Sequence, residues 1–379
     1  MADPLEAFKR SFHTGPYTPM NAAGVCPMSR QAHDALLHWT KRMHEEGQFC
    51  IDGAFEESEL LRGELAGFLG ARASELAYFQ TTAAALSQVA LGLSLSPGDE
   101  IVVWDQEYPS NLYPWRVAAE RSGAKVVLAE SGADLSTPVE ALLAKVTSKT
   151  KVIAFSWVQY RTGAITDIAP VTEFARARGI FTCADIIQGV GLLPFDFASS
   201  GLDSACGGTH KWLCAPPTVG YMLLKEEHIP RLRPIAVGAM TYGDHNSLAS
   251  LAAEIRPGIG RFEPGGRSLL EQIALRASLK LIRETGIDRI AQEAEWLSRK
   301  LMHGLRERGY QIHSPHGSHH CGSIVNFAAT AQSRFKSQAE IEQVLQREKI
   351  SYGVRPPGVR LAPHAFNTAE QIDFVLGQL

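Results

Sequence analysis

Gly179-Ile180-Phe181-Thr182-Cys183-Ala184-Asp185-Ile186-Ile187-Gln188, followed by Ser204-Ala205-Cys206-Gly207-Gly208-Thr209-His210-Lys211-Trp212, are the stretches that decide the fold. The apolar run ending at Ala184 reads as a buried strand, which Asp185 closes. Similar short runs occur at residues 101–104, 125–128 and 152–155. Runs of this kind suit strands covered on both faces in a parallel sheet. Between them lie helical patterns such as 171–178, which stops at Gly179 as a C-terminal cap would. Residues 219–224 read as a further strand of antiparallel sense. This alternation predicts an α/β domain of three layers, α/β/α, around a mainly parallel sheet.

After Pro264-Gly265-Gly266 the pattern changes. Helical periodicity runs over 268–283 and 287–308, then come a strand at 322–327 and a helix near 340–348. This predicts a smaller α+β domain at the C-terminus. The expected division is an N-terminal segment, 1–20, packing on the small domain, a large domain, 21–264, and the small domain, 265–379.

A chain of 379 residues supports two unequal domains. Its 45% hydrophobic and 20% charged residues are those of an ordinary globular protein. A net charge of -3 and a pI near 6.5 leave no electrostatic footprint for nucleic acid or an anionic membrane. Residues 1–17 carry Asp3, Glu6, Lys9 and Arg10 and no apolar core of signal-peptide length. No stretch approaches about 18 uninterrupted apolar residues, so no membrane span is expected. Six cysteines without close spacing predict reduced thiols and a cytoplasmic location.

Asp185 and Lys211 are ordinary surface types when taken singly. Together they supply an amine that can condense with an aldehyde and a carboxylate that can keep a pyridine nitrogen protonated. Pyridoxal phosphate requires both. Thr81 and Thr82 precede a good helix former, where hydroxyls and free N–H groups can hold a phosphate; alone, the pattern is a Thr N-cap. Tyr108, in Glu107-Tyr108-Pro109-Ser110-Asn111, follows the strand at 101–104, where ligand loops emerge in open α/β sheets. It can stack on a pyridine ring or be a packed aromatic. Gln159 ends another strand and Gln188 lies just beyond Asp185; both are candidate donors to a ring oxygen.

Other signals are weaker. Gly189-Val190-Gly191-Leu192-Leu193-Pro194 imitates a dinucleotide fingerprint but lacks the third glycine and the right position. His313, His316, His319, His320 and Cys321 crowd together without a zinc-ligand spacing, so a polar turn is expected and no metal. Neither a P-loop nor a GxSxG elbow is found.

This ordered set, from Asn21-Ala22-Ala23-Gly24 to Phe366-Asn367-Thr368, resembles the class V aminotransferase family of fold type I PLP-dependent enzymes, the group of isopenicillin N epimerase, kynureninase and cysteine desulfurases. The resemblance implies that Lys211 forms the imine with pyridoxal phosphate and that Asp185 pairs with the ring nitrogen. It implies that Gln159 and Gln188 flank the phenolic oxygen, that Thr81 and Thr82 hold the phosphate with help from His210, and that Tyr108 stacks on the ring. Arg360 in Gly358-Val359-Arg360-Leu361-Ala362-Pro363-His364 matches the arginine that forks onto a substrate carboxylate, and Asn21 joins it as a substrate-binding candidate. Arg261-Phe262-Glu263-Pro264-Gly265-Gly266 matches the segment that reaches the partner subunit's phosphate, so a homodimer is implied, with Gly266 at the cofactor.

Three departures bear on function. Gly266 stands where a threonine is usual, and Gly208 where desulfurases place a phosphate-binding serine. Residues 350–360 contain no cysteine, whereas persulfide-forming desulfurases carry their nucleophile shortly before the carboxylate arginine. The expected activity is therefore aminotransferase- or epimerase-like, at Cα of an amino acid or a small derivative. The alternative is a β-eliminating C–S lyase on a cysteine conjugate. A third reading is a cofactor-binding protein without turnover, against which Lys211, Asp185 and Arg360 argue.

Overall fold

The short apolar runs form the predicted sheet. The computed structural model describes residues 3–12, 15–243, 254–315 and 317–379, apart from the side chain of Ser318. Its strands are β1 (Leu76–Phe79), β2 (Glu100–Trp104), β3 (Lys125–Ala129), β4 (Thr150–Ser156), β5 (Phe181–Asp185), β6 (Ser204–Gly208) and β7 (Gly220–Leu224). Their spatial order is β1-β7-β6-β5-β4-β2-β3. Strands β2 to β6 pair in parallel, whereas β7 is antiparallel to both its neighbours. It follows that β1 points the same way as β6. The C-terminal ends of β1, β2, β4, β5 and β6 therefore share one edge, where ligands bind in open α/β sheets.

Alternate residues of each strand enter different cores, as the two-residue strand period dictates. Val102, Trp104, Phe155 and Ala184 face one cluster with Leu65 and Val171. Val103, Ala154, Cys183 and Met222 face the other, with Leu86 and Trp115. Helices Ile51–Phe68 and Ile168–Arg176 thus cover one face, and Thr82–Gly92 and Tyr113–Ser122 the opposite face. The fold is the three-layer α/β/α arrangement of fold type I PLP-dependent enzymes.

A second, antiparallel sheet contains β8 (Gln311–Ile312), β9 (Val325–Ala328), β10 (Gly353–Arg355) and β11 (Gly358–Leu361), in the order β10-β11-β9-β8. Helices Ile287–Glu307, Gln338–Arg347 and Ala369–Gln378 pack on it through Leu301, Phe327, Ile341, Val359 and Leu376. The expected strand at 322–327 begins only at Val325.

Helix Leu269–Thr285 follows the boundary expected at 264/265 and packs against helices of the N-terminal part. Its Ile273 packs with Trp39 and Ala54 of helices Arg30–Glu46 and Ile51–Phe68, and Arg276 pairs with Glu57 and Glu64. The N-terminal segment lies along the C-terminal elements. Thr18 bridges Ile350, Asn21 bridges Ala362, and Lys9 pairs with Glu293 at 2.7 Å.

Candidate active site

The loops leaving the shared strand edge enclose a cavity of about 310 Å³ with β10 and β11. Lys211 lies beyond β6 on its wall. Several contacts fix its loop: Trp212 donates its indole N–H to Gln188 Oε1 at 3.0 Å, and Ser278 donates its hydroxyl to the Leu213 carbonyl at 2.7 Å. Thr209 donates its hydroxyl to the carbonyls of Pro216 and Val219. Lys211 keeps some exposure along the wall, but burial of its amine pulls the pKa down to about 7. Asp185 opposes that shift, and Arg360 and Arg355 reinforce it.

Asp185, the last residue of β5, accepts the N–H of Ile187 at 3.0 Å. Burial raises its pKa to about 6, with that bond and Lys211 offsetting only part of the cost. His210 also lines the cavity, and burial, then Lys211, lowers its pKa to about 4. It is therefore neutral near pH 7.

Thr81 caps helix Thr82–Gly92, accepting the N–H of Ala84 at 3.1 Å, so the bland reading of that residue holds in its own right. Thr82 differs: its hydroxyl is buried, borders the cavity and has, among the described residues, no hydrogen-bond partner. A Cβ on Gly208 would stand 2.6 Å from that oxygen, which gives a steric reason for glycine there. Tyr108 remains 41% exposed on the cavity wall, with the Lys211 Nζ 5.9 Å from its ring centre and the Tyr160 ring edge-on at 5.0 Å.

Arg360, in β11, is 1% exposed. Its two terminal nitrogens donate to the Tyr160 carbonyl at 2.7 Å and to Asn21 Oδ1 at 2.9 Å, while Nε has no partner. Asn21 is not on the cavity wall; it steadies Arg360 and donates to the Tyr352 carbonyl. Two other candidates stand apart from the wall. Gln159 is fully buried and donates to Glu107 at 3.2 Å, leaving its Oε1 without a partner. Gly266 lines a different groove, beside Glu263, Arg267 and Phe55. Glu263 is held there by a buried ion pair with Arg62 at 2.8 Å.

Sequence reasoning passed over four features. Glu107 sits in a stretch singled out only for Tyr108. It is buried, accepts from Ser156, Asn111 and Gln159, and burial drives its pKa up to about 7. Arg355 and Tyr160 both reach the cavity. Beneath the lysine loop, Cys26 and Cys214 meet at 3.3 Å with His364 beside Cys214. Burial pushes the Cys26 thiol up, whereas the bond from Cys26 and the charge of His364 outweigh burial at Cys214 and pull it down. Sequence separation hides such pairs: 26, 214 and 364 share no motif.

The histidine-rich run is partly outside the described residues at His316. In the described part, the His320 Nε2 meets the Ile324 carbonyl at 2.6 Å and Cys321 is buried. Elsewhere Asp203, Glu227 and His228 bring donor atoms within 4.8 Å of one another. Asp203 precedes β6 and Glu227 and His228 follow β7, at the opposite sheet edge, and Asp203 already accepts from Thr182 and contacts His228.

The Aminotransferase class-V family model matches residues 28–362, and the chain belongs to that family. It is a PLP-dependent enzyme. Isopenicillin N epimerase of Streptomyces clavuligerus is 29% identical over 391 residues, 98% of this chain and 96% of that protein. The uncharacterized aminotransferase YcbU of Bacillus subtilis (strain 168) is 24% identical over 326 residues, 86% of this chain and 84% of the relative. The apo structure of a cysteine desulfurase from Thermococcus onnurineus NA1 superposes with a TM-score of 0.89 at 22% identity, covering 100% of this chain and 97% of that one. That likeness concerns the fold.

The residues present fit pyridoxal phosphate. A buried hydroxyl without a partner stands at a helix start, and a buried carboxylate and a lysine of lowered pKa share the cavity with it.

Proposed function

We propose that this enzyme binds an α-amino acid or a small derivative and acts at its Cα, by amino transfer or epimerisation. The carrying observation is Arg360, a buried guanidinium on the wall that Lys211 and Asp185 share, with Nε unbonded and, among the described residues, no carboxylate paired to it. A carboxylate fits that fork and repays the cost of burying the cation.

Bound here, pyridoxal phosphate supplies an electrophilic aldehyde and a ring that withdraws electron density from a bond at the substrate's Cα. Lys211 would hold the cofactor, Asp185 its ring nitrogen, and Thr82 with the helix start its phosphate. Tyr108 would cover the ring. Arg360 fixes the substrate carboxylate and so decides which Cα bond is presented for cleavage. The Lys211 amine, its pKa lowered by burial to about 7, is suited to take a proton from Cα and return it. Gln188 is spoken for by Trp212 and by the Ala23 carbonyl, so its part is to hold the loop as much as to meet a ligand.

A homodimer is supported by apolar side chains left exposed near the N-terminal helices, Leu37, Phe49 and Leu60, with Phe49 at 84%. A β-eliminating C–S lyase is the second reading, favoured by the absence of cysteine from 350–360.

Borohydride reduction of the holoenzyme followed by peptide mapping tests the lysine. A tag on any residue but Lys211 rejects the assignment. Amino transfer to a keto acid, assayed beside racemisation and pyruvate release, separates the reactions. Pyruvate from cysteine conjugates without an amino acceptor would select the lyase.

A further inference from the structure

The cavity holds more positive charge than one α-carboxylate answers. Arg355 lines it together with Arg360. In the β10–β11 register Gly353 faces Arg360, which makes Arg355 its diagonal neighbour on the same face of the hairpin. Diagonal neighbours lie roughly 7–8 Å apart, within reach of one small ligand for long side chains. Gly353 has no side chain to separate them; a Cβ there would already touch the Arg360 guanidinium at 3.4 Å.

Arg355 donates to its neighbour's carbonyl, Val354, and its guanidinium stands 5.9 Å from the Tyr160 ring centre. Its Nε is buried and unbonded. Arg161, outside the cavity wall, is bonded to the phenol oxygen of Tyr160 at 3.0 Å. Among the described residues none of these three arginines has a carboxylate partner. The one acid on the cavity wall, among the described residues, is Asp185, which attracts Lys211. Arg360 is a buried charge without a counterion, which is costly, and half-buried Arg355 adds a second cation to the same wall, so the pair suits an anion that arrives.

Building on the amino-acid reading above, we propose that the substrate is an acidic α-amino acid, its α-carboxylate held by Arg360 and its side-chain carboxylate by Arg355. Arg355 is then the residue that sets specificity. An amide in place of the side-chain carboxylate keeps the shape and loses the charge, so it isolates this contact.

The test titrates the holoenzyme with L-glutamate, L-aspartate, L-glutamine and L-asparagine, following the cofactor's absorbance. At least one acid should bind about tenfold or more tightly than its own amide, as a charge-assisted pair requires. Arg355→Gln should bring that ratio close to one, and Arg355→Lys should keep part of it. Equal binding of acid and amide by the unaltered enzyme overturns the proposal even if no variant folds. An undiminished ratio in Arg355→Gln also overturns it. So does a loss of pyridoxal phosphate binding in that variant, which would assign Arg355 to the cofactor. A flat response to all four amino acids is a different failure; it sinks the amino-acid reading itself, and this proposal with it.

Discussion

Glu107 accepts the backbone N–H of Ser156 at 2.7 Å on one carboxylate oxygen and the Ser156 hydroxyl on the other. This pairing ties the loop after β2 to the last residue of β4, and Glu107 also accepts from Gln159. A buried acid thus spans the strand ends beneath Tyr108.

Stability of the cofactor-free protein should register that acid. Burial raises Glu107 from 4.5 to about 7 and Asp185 from 3.8 to about 6. The folded state therefore keeps protons that the unfolded chain releases, and the stabilisation present at low pH is lost as pH climbs to about 7. Lys211, lowered from 10.5 to about 7, has the opposite sign and adds stability as pH rises above 7. Urea unfolding of Glu107→Gln should show a flatter fall between pH 4.5 and 7; an unaltered slope would exclude the raised pKa.

Arg360→Lys should raise KM about tenfold or more with a smaller change in kcat. An ammonium cannot supply the two parallel bonds of a guanidinium. It would also abandon either Asn21 or the Tyr160 carbonyl, which Arg360 now holds together. Steady-state kinetics decides, and an unmoved KM would place the carboxylate elsewhere.

Gly208→Ser should destabilise the fold by about 1–3 kcal/mol, the usual cost of overpacking. The new Cβ would meet the Thr82 hydroxyl at 2.6 Å and the Ile187 Cδ1 at 3.0 Å. Adding Thr82→Ala should recover part of the loss in denaturant unfolding, a coupling expected only if the two side chains collide.

Thr82→Val should leave the cofactor-free protein at least as stable, because the buried hydroxyl it removes has no partner. Affinity for pyridoxal phosphate should fall if that hydroxyl meets the phosphate. Equilibrium dialysis against the cofactor measures this; equal affinities would leave Thr82 without that role.

Strands with branched or aromatic residues, such as β2 and β4, were legible because burial on both faces leaves an uninterrupted apolar run. β6 was not: Ser204-Ala205-Cys206-Gly207-Gly208 carries no strand preference, and its small residues are there to admit neighbours. A Cβ on Gly207 would lie 2.3 Å from the Tyr221 hydroxyl. The β10–β11 hairpin is not legible, because its strands are three and four residues long and Pro356-Pro357 separates them. Lys211, Asp185, Thr82, Tyr108, Gln188 and Arg360, which the sequence offers by their place after strands, at a helix start or in a family motif, come together on one cavity wall. Gln159 lies off the cavity wall, and so does Gly266, which the resemblance assigns to the partner subunit's cofactor. Arg355 and Glu107 were missed because their significance depends on what they lack or touch in space.

Arg355 and Arg360 ride on the small antiparallel sheet, whereas Lys211 and Asp185 belong to loops and strands of the large one. On the proposed reading, appetite and reactivity are thereby housed apart. A lineage could retune what it accepts by exchanging a few side chains on one short hairpin, with the bond-breaking apparatus inherited intact.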